Sequence, residues 1–349
     1  MNGYIFQEID KKEYKSLTRD KNFPLTQNYF YGEWQEATGR ITRYFVAKKA
    51  GETVSVFLVV KHAMSFGKSY LYIPHGPILY SGLDTKFFEE FKYFIKDVTE
   101  KENSVFCRFD LYYLAGGMEE TRSNLRKVVS CFFHSPRFAY SGNFQPKFEW
   151  VIDLTKTEDE IMAEMKKVNR YTVKQAKKNG IMVETIKSGF INYFEDFYRL
   201  ASETAVRDKF IEYPKEYYLN IFKNCEKNKN CFLNVVRLDG EILLVNIFIV
   251  FGDTALWLFS GSSNKERQTG YSYLAQWRAI QEAKNMGLKY YNFGGVAPLD
   301  KAYKTYKSWA GLTDFKRRFG GFQLEYSDFY DVVGSKFWYA VYLVKKFFV

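Results

Sequence analysis

Histidine is scarce in this chain: three occur in 349 residues, His62, His75 and His134, and none falls into an arrangement with serine and aspartate that argues for a nucleophilic triad. The four cysteines, Cys107, Cys131, Cys225 and Cys231, form no C-x-x-C pair and have no histidine at ligand spacing, so no metal site is expected. Cys107 lies in an apolar run and reads as a buried thiol in a reducing compartment. The P-loop lysine motif and the dinucleotide glycine fingerprint are both missing, and no cofactor is assigned. Long apolar runs are missing too. Met1 to Asp10 carries no apolar core of an export signal, and Phe337 to Val344 falls far short of the roughly 20 residues of a membrane span. These absences lead us to expect a cytoplasmic protein.

What the chain has in abundance is aromatic and positive. Tyrosine (28), phenylalanine (34) and tryptophan (6) make up 19% of it, more than a packed interior alone requires. The formal net charge of +11 attracts polyanions, whether nucleic acid, phosphorylated substrates or anionic lipid headgroups, and charge alone does not choose among them. The length suggests about two domains.

The pattern repeats. From Arg40, ITRYFVAKK, TVSVFLVVKHAMS and SYLYIPHG read as three strands joined by two glycine turns. From Cys231, FLNVVR, ILLVNIFIV and TALWLFSGSS read the same way. In each half a helical stretch follows (84–99 and Gly270 to Asn285) and then a strand (Val105 to Asp110, Tyr290 to Phe293). Helical material precedes each meander, around Tyr29 to Glu36 and Tyr193 to Ala205. Helix, antiparallel meander, helix, strand, given twice, resembles a tandem acetyltransferase-like (GNAT-like) α/β or α+β fold, with mixed sheets flanked by helices. The alternative is one large irregular α+β domain. The expected division is 1–147 with 319–349 as the first domain and 148–318 as the second, the tail folding back onto the first.

Two basic segments stand out. Between Met165 and Ile181, Lys167, Arg170, Lys174 and Lys177 share one face of an expected helix, while Met165, Val168 and Ala176 are expected to pack inward. The stripe reads either as a phosphate-tracking surface or as a solvated face. In Phe315-Lys-Arg-Arg-Phe-Gly-Gly321 three cations, Lys316, Arg317 and Arg318, precede a double-glycine turn and follow Lys301, Lys304 and Lys307. One of them can steady an oxyanion, or the segment is a basic surface loop. Arg267-Gln-Thr-Gly270-Tyr-Ser272 opens a helix in the manner of an acyl-CoA pyrophosphate loop but lacks its second small residue.

Four segments in this order carry a resemblance to a known family: Tyr72-Ile-Pro-His-Gly-Pro77, the basic helix Lys166 to Gly180, the stretch from Gly270 to Gly295 ending in YYNFGGV, and Gly311-LTDFKRRFGG-Phe322. Over nearly its whole length the chain resembles the FemABX peptidyltransferases, in the compact form that lacks a coiled-coil arm. The resemblance implies transfer of an amino acid from aminoacyl-tRNA to the stem peptide of a peptidoglycan precursor, either lipid II or a nucleotide-linked (UDP) muropeptide. It places Lys316, preceded by Phe315, at the family's catalytic lysine. Asp110 falls at an aspartate considered as a base, and Tyr217 at a tyrosine that holds the acceptor's phosphates. At Gln35, Tyr213 and Phe259 the nucleotide-using members carry Lys, Arg and Tyr. That difference favours lipid II, or a phosphate grip through Arg207, Lys209 or Arg170. The aromatic tail, Lys336 to Val349, is expected to pack on the first domain or to rest peripherally at the inner face of the membrane. A CoA-dependent N-acyltransferase and a non-catalytic tRNA- or muropeptide-binding protein remain as alternatives.

Overall fold

The computed structural model describes residues 3–19, 23–80, 85–111, 127–133, 145–299 and 308–347; His134, Lys301, Lys304 and Lys307 lie outside the described residues. The chain divides into two compact units, Met1–Lys147 with Glu325–Val349, and Phe148–Leu324.

In the first unit, strands β1 (Tyr4–Ile9), β2 (Ile41–Lys49), β3 (Glu52–Ala63), β4 (Ser69–Ile73), β6 (Phe106–Phe109) and β14 (Tyr330–Val333) lie side by side in that order, and β5 (Ile78–Leu79) pairs with β3. Helices α1 (Lys11–Thr18), α2 (Tyr29–Ala37), α3 (Thr85–Lys101) and α10 (Lys336–Phe347) accompany the sheet. The β-branched and aromatic alternation of β2 and β3 turns Phe45, Phe57 and Val59 to one face. There Phe87, Phe88, Phe91 and Ile95 of α3 close a core. The last strand of the sheet comes from the far end of the chain, with Tyr330 opposite Phe109 and Val333 opposite Phe106. A buried ion pair fixes it: Arg108 Nε and Nη2 donate to Asp331 Oδ1 and Oδ2 at 2.8 and 2.7 Å, and the Tyr339 hydroxyl donates to Oδ2 at 2.8 Å.

The second unit repeats the plan. Its strands are β7 (Phe148–Asp153), β8 (Met182–Ile186), β9 (Cys231–Leu238), β10 (Glu241–Phe251), β11 (Thr254–Ser262), β12 (Tyr290–Gly295) and β13 (Phe322–Glu325). They order as β13-β7-β12-β11-β10-β9-β8. Helices α4 (Glu158–Glu164), α5 (Lys167–Lys178), α6 (Phe194–Asp208), α7 (Lys215–Asn228), α8 (Tyr271–Asn285) and α9 (Ala310–Arg317) pack around it. Cys225 in α7 and Cys231 in β9 form a disulfide, a pairing that the sequence reading did not anticipate. Lys229 between them adopts a left-handed conformation (φ 53°), which turns the chain sharply enough to bring the two Cα atoms within 5.5 Å.

Each sheet contains a parallel pair spanned by a helical crossover, β4 and β6 across α3, β11 and β12 across α8. In each the pairing runs for three residues and stops, after Ile73 opposite Phe109 and after Leu256 opposite Asn292. Beyond those points the flanking strand ends present side chains and backbone groups that no parallel partner covers. Both clusters of buried ionisable groups described below lie there.

Two local expectations are corrected. Phe319 to Leu324 belongs with the second unit rather than the first, because Phe319 is buried on Tyr273 and Phe293 and β13 pairs with β7. Val168 does not pack inward; it is 52% exposed, and Val173 takes the core position beside Met165 and Ala176. Helix α5 runs from Lys167 to Lys178, starting one to two residues inside the expected window, and its buried face is set by Asn169, Val173 and Ala176.

Candidate active site

Helix α9 is short and one-sided. Its Phe315 packs 4.9 Å from the Tyr273 ring and near Trp257 and Phe319, which rotates the next residue, Lys316, into the protein. Lys316 is buried; its Nζ donates to the Gly295 carbonyl at 2.6 Å and lies 5.6 Å from the Trp257 ring centroid. Desolvation pulls its pKa down to about 7, against the opposing pull of the Glu149 carboxylate. Glu149 is buried as well, and accepts from Asn292 Nδ2 at 2.7 Å, while Asn292 Oδ1 accepts from the Gly294 N–H at 2.7 Å. The lysine therefore sits just past the point where β11 and β12 part, with a carboxylate close enough to influence it.

The other two cations of the triplet go elsewhere, as helical spacing demands. Arg317 donates to the Ala297 carbonyl at 2.7 Å and covers the Trp150 ring, and Arg318 donates to Asp314 at 2.7 Å. Thr313 Oγ1 accepts from the Ala297 N–H at 2.9 Å, so α9 straps the segment after β12 at Thr313, Lys316 and Arg317. The turn that follows requires glycine twice. Gly320 and Gly321 have φ of 80° and 87°, and a Cβ on either would come within 2.7 Å of Glu164 or 2.2 Å of the Val151 carbonyl.

A second group gathers at β11, the strand of Trp257. Tyr213 and Tyr217 stack at 4.2 Å, and Phe259 of β11 meets them edge-on at 6.0 and 6.4 Å. Three candidates thus converge, though none is a cation. Arg207 reaches the end of β11, donating to the Ser262 carbonyl and to Asn264 Oδ1 at 3.0 Å each, and pairs with Asp208. Lys209, in a left-handed conformation (φ 56°) at the end of α6, is exposed.

Helix α5 presents Lys167, Lys174 and Lys177 to solvent. Arg170 does not share their freedom. Its guanidinium donates to the Ala163 and Met165 carbonyls and closes off α4. Tyr171, 63% exposed among the lysines, was missed by the sequence reading, although an aromatic interleaved with cations is a recognisable signal. The start of α5 is tied to the end of α9, since the Lys166 N–H donates to the Arg318 carbonyl at 3.0 Å.

In the first unit Asp110 follows β6 and is buried. It accepts the His75 N–H at 3.0 Å, and its other oxygen faces His75 Nε2 at 3.4 Å. Burial raises its pKa to about 7 despite the His75 N–H and the Tyr72 hydroxyl, and the same burial holds His75 down to about 3. His75 is therefore neutral, stacked at 4.1 Å on Tyr326 and 3.1 Å from Thr26 Oγ1. This arrangement anchors the Ile73-to-Pro77 turn. Gln35 is buried in α2, where its Oε1 accepts from Arg40 at 2.9 Å.

The model of the FemAB family matches residues 9–241 and 223–346. The chain belongs to the FemAB family. The aminoacyltransferase FemA of Staphylococcus aureus (strain MRSA252) is 22% identical over 419 aligned positions, covering 98% of each chain. Among solved structures, FemX superposes with a TM-score of 0.79 at 18% identity, over 97% of this chain and all of that one. A tandem GNAT protein from the clavulanic acid biosynthesis pathway superposes at 0.54 with 8% identity, covering 95% and 99%. At these identities the superpositions speak for the fold, and that fold is the tandem GNAT-like α/β architecture read from the repeat. Glu149, Asn292 and Trp257, which surround Lys316 here, escaped sequence reasoning. A carboxylate inside the apolar run FEWVID was the available signal.

Proposed function

We propose that this FemAB protein transfers an amino acid from aminoacyl-tRNA onto the stem peptide of a peptidoglycan precursor, with Lys316 as the proton-bearing group at the reacting ester. The protein is an aminoacyltransferase of peptidoglycan bridge formation. The observation that carries the role of Lys316 is its burial with a pKa near 7 at the place where β11 and β12 part. In the reaction the acceptor nitrogen bonds to the ester carbonyl carbon, and the oxyanion so formed collapses with loss of the ribose oxygen. The amine gives up one proton and the ribose oxygen gains one, so the exchange balances. A protonated Lys316 stabilises the oxyanion and can give its proton to the leaving ribose oxygen; a desolvated donor of this kind is worth about 3 kcal/mol. Alignment of the two substrates can supply more, about 7–11 kcal/mol at best.

The exposed lysines and Tyr171 of α5 are the proposed tRNA contact. Cations in the first turn of a helix oppose its dipole, at about 0.3–1 kcal/mol, so Lys167 does not stabilise the helix end and a binding role fits it better. The Tyr213, Tyr217 and Phe259 cluster is the proposed acceptor contact, and the departure from the nucleotide-using pattern at Tyr213 and Phe259 favours a lipid-linked acceptor in this reading. A CoA-dependent reaction has less support. The first turn of α8 is taken up by Tyr271, buried with its hydroxyl donating to the Ser263 carbonyl at 2.7 Å.

Replacing Lys316 with Met tests the reading. Transfer is expected to fall by about two to three orders of magnitude while affinity for charged tRNA is unchanged. Undiminished transfer would remove Lys316 from the chemistry.

A further inference from the structure

Helix α10 is apolar on two sides. Tyr339, with Trp338, Tyr342 and Leu343, packs on Phe106 and its neighbours in the first unit. On the other side Phe337 (70% exposed), Val341 and Val344 (57%) follow one another at i, i+4 and i+7, a second stripe that none of the described residues covers. A surface helix of a water-soluble domain needs only the first.

Beside that stripe is an open groove of about 270 Å³. Its outer wall is the turn Ser65–Gly67, where Phe66 is 78% exposed and held at φ 62°, ψ 32°. A left-handed conformation costs a side-chain-bearing residue about 1–2 kcal/mol, and here it holds an aromatic ring out into solvent, 6.3 Å from Trp338.

The polar groups of the groove are all neutral or positive. Lys68 Nζ lies 4.8 Å over the Trp338 ring, Lys345 Nζ donates to Ser65 Oγ at 2.8 Å, and no carboxylate is among the lining residues. Apolar stripe, tryptophan and flanking lysines match the vertical order of an anionic bilayer leaflet: acyl chains, interface, phosphates. A protein partner would leave the lysines needing carboxylates of its own.

We infer that the face formed by Phe66, Phe337, Val341 and Val344 and rimmed by Lys68 and Lys345 is a docking surface for an anionic phospholipid membrane. It stands on this unit's geometry alone and does not depend on the reaction proposed for Lys316.

Co-sedimentation of the full chain with vesicles of phosphatidylglycerol and phosphatidylcholine in equal parts, and with phosphatidylcholine alone, tests this. Binding is expected to the anionic vesicles and to weaken with salt. Each lysine near such a surface contributes about a factor of five, so Lys68→Glu with Lys345→Glu should weaken binding about 25-fold or more. Phe66→Ser with Val344→Ser should weaken it about tenfold. Phe66, Val344 and Lys345 are exposed and Lys68 is half-buried at the groove rim, and a thermal melt confirms folding. Lys167→Glu with Lys174→Glu, on the basic helix of the other unit, should bind vesicles as the wild type does. Any of three results overturns the inference: no binding to anionic vesicles, binding that tracks the basic helix instead, or a concentration-dependent dimer that Phe66→Ser with Val344→Ser abolishes.

Discussion

Lysine is costly to bury, and Lys316 has Glu149 as its nearest electrostatic relief; burial wins, and the amine titrates near 7 instead of above 10. If its protonated form is the working one, activity attributable to Lys316 declines as pH rises through about 7. The ratio of wild-type to Lys316→Arg turnover isolates this, because arginine stays charged and the acceptor amine titrates equally in both. We expect that ratio to fall between pH 6 and 8.5; a ratio rising with pH would make the neutral amine a base. Asp110 gives a second residue-scale test. Its pKa is raised in the folded state to about 7 from an unfolded value near 4. The folded state thus binds the extra proton between those values. The associated stability is present below about pH 4 and is lost as pH rises to about 7. Asp110→Asn removes that dependence, so the wild-type advantage in melting temperature should shrink, or reverse, from pH 5 to pH 8. A difference independent of pH would contradict the buried, uncharged carboxyl.

At the scale of elements, the strands and helices of both repeats were legible because period-two runs, turn residues and amphipathic spacing all agreed there. The meanders at Ile41–Ile73 and Cys231–Ser262 and the helices at Thr85–Lys101 and Tyr271–Asn285 fall where those signals put them. What spacing could not supply was azimuth. Val168 sits outside because Val173 and Asn169 set the buried face of α5, and Arg170 is spent on the carbonyls of the preceding helix. The partners of Lys316 come from β7, β11 and β12, which no local pattern connects to residue 316. For α5 itself, Lys167→Glu with Lys174→Glu should raise the Kd for charged tRNA and lower the slope of log affinity against log salt by about one unit per lysine. A solvated face with no role would leave both unchanged.

The whole molecule is not co-linear with its sequence, since the first unit is finished by the last 25 residues of the chain. That return was expected from the order of the repeats, whereas the six residues from Phe319 to Leu324 were assigned to the wrong unit because β13 has no sequence signature of its partner. The return depends on Arg108 and Asp331, 223 residues apart. Asp331→Ala leaves a buried guanidinium unpaired and should destabilise the first unit by about 3–5 kcal/mol, read as a separate early transition in denaturation. A single unshifted transition would mean that the pair is dispensable.

The central claim is the reaction itself, and the most direct measurement is transfer of labelled amino acid from total charged tRNA with lipid II and nucleotide-linked muropeptide offered in parallel. Label entering the acceptor, abolished by RNase and by Lys316→Met, and favouring lipid II, is the predicted result. Folded protein that transfers nothing to either acceptor, or transfers from acyl-CoA in the presence of RNase, would contradict it.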